Sequence, residues 1–76
     1  MKTFTIKMMW DDGYWFSRVN ENAGFSLTLE SNSYDTLVER VKIAIQDILE
    51  VDFSYTGDFK CIFQSERIEN MQAKAS

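Results

Sequence analysis

Residues 33–50, SYDTLVERVKIAIQDILE, run without Gly or Pro and repeat their apolar positions at helical spacing. At about 100° per residue, Leu37, Val38, Val41, Ala44, Ile45, Ile48 and Leu49 share one broad face. Thr36, Glu39, Arg40, Lys42 and Gln46 lie outside it. Ser33 suits the N-cap, because its hydroxyl can accept from a first-turn amide that has no partner inside the helix. Asp35 in that turn favours the positive end of the helix dipole. Asp52 marks the expected end. An apolar stripe of this width has to be buried against something, and the segments on either side alternate as strands do. The run therefore predicts a small sheet with a single helix laid on it.

Over residues 3–10, Phe4, Ile6, Met8 and Trp10 face one way and Thr3, Thr5, Lys7 and Met9 the other. Asp11-Asp12-Gly13 is a hairpin signal, and Tyr14–Val19 is the return strand. A two-residue turn at Asp12-Gly13 places Trp10 opposite Trp15; a three-residue loop with a bulge places it opposite Tyr14. Both registers remain open at this point. A polar loop, Asn20–Gly24, leads to an expected third strand at Phe25–Leu29 with Phe25, Leu27 and Leu29 inward. Glu30-Ser31-Asn32 then leads into the helix. Beyond the helix, residues 51–56 are poorly patterned and close at Gly57-Asp58, and Phe59–Phe63 alternates as a fourth strand. Gln64–Ser76 is read as a tail in which Ser65 caps a last helical turn through Met71. The expected fold is α+β, in the order β-β-β-α-β. It is a four-stranded mixed sheet with one helix on one face, with the domain at residues 1–63 and the tail at 64–76.

A chain of 76 residues makes one domain with a thin core, and its 45% apolar content is that of a folded protein. No apolar run approaches the roughly 18 residues of a membrane span, and Lys2 is followed by alternation instead of a signal-peptide core. A single cysteine, Cys61, leaves no internal disulfide and suits a reducing cytosol, so a cytoplasmic location is expected. The net charge of −4 argues against a nucleic-acid partner, which calls for a basic stripe. It suits a basic protein partner, or a soluble acidic domain with no charged partner at all.

Two stretches, WDDGYWFSRVNENAGF at 10–25 and SYDTLVERVKIAIQDILE at 33–50, carry a likeness to a known superfamily. The chain resembles the HicB-like domains, and in particular a small branch reading W-D-x-x-G-x-W-x-A, a polar run ending Pro-Gly, and a helix opening D-T-L-E-E-L. Trp10, Asp11, Gly13 and Trp15 match the first part, Gly24 matches the glycine, and Asn32, Ser33 and Asp35 occupy the helix start. Tyr-Thr-Gly at 55–57 and Phe-x-x-x-Arg-Ile at 63–68 extend the likeness over nearly the whole chain. The departures are Ala23 in place of the proline, a first hairpin two residues short and a longer third strand. The resemblance implies a partial ribonuclease-H-like fold with the fourth strand parallel to the first. It also implies an antitoxin that covers the active site of a small basic messenger-RNA-cleaving toxin. Many such proteins add a C-terminal DNA-binding domain; with the chain stopping at Ser76, toxin binding without DNA reading is the expectation.

Read from the residues themselves, the second strand is two-sided. Tyr14 and Phe16 point one way, Trp15 and Val19 the other, and one helix covers one face of a sheet. At least one large apolar pair therefore falls on the uncovered face, where Met9 or Ile62 can join it. Trp15 and Phe16 are expected at a homodimer or partner surface, unless the tail folds over that face. Asp47, Glu50 and Asp52 crowd the helix C-terminus, where the dipole favours bases. They fit a solvated acidic rim or a patch that steers a basic toxin. The partner-binding candidates are thus Met9, Tyr14, Trp15, Phe16, Asp47 and Glu50. Ile43 opposite the stripe and Cys61 as a small packed hydrophobe carry no functional weight.

The chain has no histidine and one cysteine, which excludes Cys–His nucleophilic catalysis and a zinc-type ligand set, and no cofactor is expected. Asp11, Asp12, Glu30 and Asp58 are the carboxylates a metal-dependent nuclease would draw on. Asp11 and Asp12 are explained by their turn, and nothing in the spacing makes the four converge. Tyr14, Trp15 and Phe16 beside Lys7 and Arg18 resemble a base-stacking platform, against the overall acidity. The isolated glycines form no phosphate loop. The leading expectation is a non-enzymatic binding module; the alternative is a stand-alone structural or ligand-binding oligomeric domain.

Overall fold

The computed structural model describes residues 1–67. Its first strand, β1, runs from Lys2 to Asp11, and β2 from Tyr14 to Val19. A short 3-10 turn at Glu21–Ala23 precedes β3, Thr28–Ser31. The helix α1 spans Tyr34–Phe53, and β4 spans Phe59–Arg67. The sheet has four strands in the order β3-β2-β1-β4, antiparallel except for the parallel pair of β1 with β4. The α+β layout read from the sequence is the observed one, with α1 carrying the chain from β3 at one edge to β4 at the other.

The hairpin takes the two-residue form. Asp12 and Gly13 have φ of 48° and 84°, the positive pair of a type I′ turn, and Trp10 stands opposite Trp15. This turn type matches the right-handed twist of the strands it joins, and Gly13 supplies the second positive φ without steric cost. The ladder ends at Asn20, which turns back onto β1. Its amide donates to the Thr5 carbonyl at 2.9 Å, and its Oδ1 accepts from the Thr5 amide at 3.1 Å.

That anchor explains why the third strand begins later than Phe25. Pairing with β2 is available only as far as β2 extends, and the register joins Arg18 to Thr28 and Trp15 to Ser31. Gly24, at φ 86°, bends the chain after the 3-10 turn. Phe25 and Leu27 consequently pack on the core from outside the strand, and Phe25 lies 5.6 Å from Phe4 and 6.1 Å from Phe53, ring centre to ring centre. Glu30 and Ser31, read as a lead-in, belong to the strand itself.

The helix behaves as its pattern demands. Ser33 is extended at the N-cap and its hydroxyl accepts from the Thr36 amide at 3.4 Å. Leu37, Val41, Ile45 and Leu49, four residues apart, are buried against Phe4, Ile6, Met8 and Val19. Covering each such side chain stabilises the fold by roughly 1.5–3 kcal/mol before entropy is counted. Val38, Ala44 and Ile48 flank the stripe half-buried, and Ile43 is exposed. The helix continues one residue past Asp52, to Phe53. It closes where Ser54 adopts the left-handed conformation at φ 51° and the Tyr55 amide donates to the Leu49 carbonyl at 2.8 Å.

β4 continues four residues beyond Phe63, with Gln64, Ser65, Glu66 and Arg67 opposite Lys7, Met8, Met9 and Trp10. The ten-residue β1 offers a backbone ladder over that length, and the polar side chains of Gln64–Glu66 do not prevent pairing. The rest of the tail, 68–76, including the turn expected through Met71, lies outside the described residues.

Candidate functional site

Strand parity divides the sheet into two unlike faces. The helix side holds Phe4, Ile6, Met8 and Trp10 of β1, and Trp15, Ser17 and Val19 of β2. On the other side, no helix or strand among the described residues lies over the sheet. There the register forms successive rows across the strands. One row runs Glu30, Phe16, Met9, Glu66, and the next runs Thr28, Arg18, Lys7, Gln64. At the hairpin end Tyr14 stands opposite Asp11, and beyond the basic row Thr5 stands opposite Ile62.

Phe16 and Met9 are therefore cross-strand neighbours, with Tyr14, which is 50% exposed, on the same face at the hairpin end. Asp11, Glu30 and Glu66 border this apolar group. Lys7 and Arg18, a like-charge pair directly opposite one another, form the next row on the same face and close the remaining side of the group. The Lys7 ammonium is 3.6 Å from the Glu66 carboxylate, while Arg18 makes no ion pair among the described residues. Ile62 is 39% exposed but separated from Met9 by the basic row. Two shallow adjoining hollows follow this relief: one of about 380 Å³ beside Met9, Asp11 and Phe16, the other of about 540 Å³ beside Lys7, Met9 and Arg18.

The six residues singled out from the sequence do not form one patch. Met9, Tyr14 and Phe16 come together on the uncovered face. Trp15 is on the helix side, half-buried between Tyr34 at 4.9 Å, edge-on, and Trp10 at 5.4 Å. Asp47 and Glu50 are exposed on α1, which packs on the opposite side of the sheet. Glu30, weighed only as a metal ligand, and Glu66 were not among the partner-binding candidates. Their signal was strand parity, which is invisible for as long as Glu30 is read as a loop and Glu66 as a tail.

The Trp10–Trp15 pair opens a third hollow, of about 450 Å³, bounded by Ser65 and Glu66. Cys61 sits half-buried on the helix side of β4, where burial raises its thiol pKa and the Lys42 charge partly opposes that rise. A raised pKa keeps the thiol protonated and weakly nucleophilic at neutral pH. Among the described residues no three His, Cys, Asp or Glu side chains gather to hold a metal ion. Nor is any described helix long and apolar enough to cross a membrane.

Residues 3–73 match the family model described as Domain of unknown function (DUF1902). The chain belongs to the DUF1902 family. The match takes in all four strands and the helix, so in this DUF1902 chain the uncovered face is part of the family domain itself. No curated protein and no solved structure matches the chain.

Proposed function

We propose that this DUF1902 chain is a non-enzymatic protein-binding module of the HicB-like antitoxin type, which binds and occludes a small basic messenger-RNA-cleaving toxin. The observation that carries the reading is the Phe16–Met9–Tyr14 group on the uncovered face, with Phe16 and Met9 half-buried and Tyr14 exposed, bordered by Asp11, Glu30 and Glu66 and closed on its remaining side by Lys7 and Arg18. An apolar centre with an acidic rim complements a basic protein that has an apolar spot at its middle. A sheet supplies a rigid platform, so little ordering entropy is lost on docking. Asp47 and Glu50 add to the negative potential that draws such a partner in. The likeness to HicB-like domains in residues 10–25 and 33–50 supplies the toxin as the partner class.

Co-expression with a short basic ribonuclease encoded beside its gene tests this directly. The expected result is rescued growth and a complex that survives purification. A toxin that kills regardless and never co-purifies would overturn the reading. The hollow beside Trp10 and Trp15 favours the second reading, a stand-alone ligand-binding domain. In that case the co-expression fails while small apolar molecules quench the tryptophan fluorescence at saturable concentrations.

A further inference from the structure

We propose that the chain dimerises by antiparallel pairing of β4 with β4 of a second copy, about a twofold axis through Phe63. β4 is an edge strand of nine residues, joined residue for residue to β1 with no bulge. Along its outer edge no backbone hydrogen bond is made among the described residues. Natural edges are usually blunted by proline, by bulges, by charged side chains or by being short, and Lys60 and Glu66 of β4 are of opposite sign. This chain has no proline, and the opposite edge, β3, is only four residues long. β4 alone is long and regular enough to accept a further strand.

The strand is also self-complementary. Phe63 is its central residue, so an axis there overlaps the whole strand and sets Lys60 against the partner's Glu66, once on each side. Ile62 then faces the partner's Gln64 and lies diagonal to the partner's Ile62, and Phe63 meets its own counterpart. Moving the axis one residue, to Ile62, shortens the overlap and sets Lys60 against Gln64. Burial agrees with pairing at this edge. Phe59, Cys61 and Phe63 pack on the core yet remain half-buried, as residues of a strand with one free edge do. The axis is normal to the sheet, so both helices stay on one side and the bare faces of the two copies become continuous. The inference goes beyond the toxin reading, and its test needs no toxin.

Sedimentation velocity on the full chain is expected to show a species of twice the chain mass. Lys60→Glu and Glu66→Lys each create two like-charge pairs across the axis, the second also losing the Lys7–Glu66 ion pair within each chain, and should weaken dimerisation roughly tenfold or more. The double reversal restores both attractive pairs and should recover most of the loss, which a mere folding defect would not do. Ser65→Cys gives a geometric check. The axis puts this position opposite the partner's Cys61, with Cα atoms about 4.5–5.5 Å apart, within disulfide reach. Inside one chain the two positions are roughly 13 Å apart along the strand and are not bridged. Copper-catalysed oxidation should then give a covalent dimer on a non-reducing gel. A wild-type chain that sediments as a monomer throughout overturns the proposal. So does a dimer indifferent to both single reversals and without the cross-link.

Discussion

Ser17 shows what a single atom decides. It lies on the helix side of β2, between Met8 and Leu29 in the register, and is 2% exposed. Its hydroxyl has no hydrogen-bond partner among the described residues. A buried hydroxyl that gives up water for nothing costs free energy, and its removal leaves no second group stranded. Ser17→Ala is therefore expected to raise stability by about 1 kcal/mol, read as a higher urea midpoint at unchanged slope. Residue-scale chemistry was legible in the sequence wherever it was local. The Ser33 cap depends only on the residues that follow it, and Asp11-Asp12-Gly13 marked a hairpin by its own turn chemistry, while the register, with Trp10 opposite Trp15, was decided only by the structure. Trp15 was not legible in this way, because its burial depends on where Tyr34 comes to rest across the sheet.

At the scale of elements, α1 supplies half of the buried core through residues spaced four apart, and β1 supplies most of the rest through its alternation. Ile45→Ala should cost about 2–5 kcal/mol, a large share of the roughly 5–15 kcal/mol that holds a domain of this kind together. Ile43→Ala, two residues away on the exposed side, should change stability by no more than about 0.5 kcal/mol. Equal losses from the two, in the same denaturation series, would refute the assigned helix face. The strand limits that the sequence misplaced share one cause. A strand's length is set by the neighbour it pairs with as well as by its own pattern. β2 ends at Val19, so Phe25 had nothing to pair with; β1 extends to Asp11, so Gln64–Arg67 did.

For the whole molecule, one helix and four strands leave one face of the sheet without cover among the described residues. An apolar group bordered by carboxylates, on a chain of net charge −4, is a surface suited to a basic protein. Phe16 separates this account from one in which the face is closed within a single chain. The decisive measurement pairs the thermal stability of Phe16→Thr with its capture of the candidate basic toxin. The substitution keeps a strand-forming residue and removes the ring from the centre of the face. The account predicts a cost of about 1 kcal/mol or less in folding, far below that of Ile45→Ala, together with loss of the complex. Destabilisation on the scale of Ile45→Ala, or toxin capture as tight as that of the unaltered chain, would contradict it.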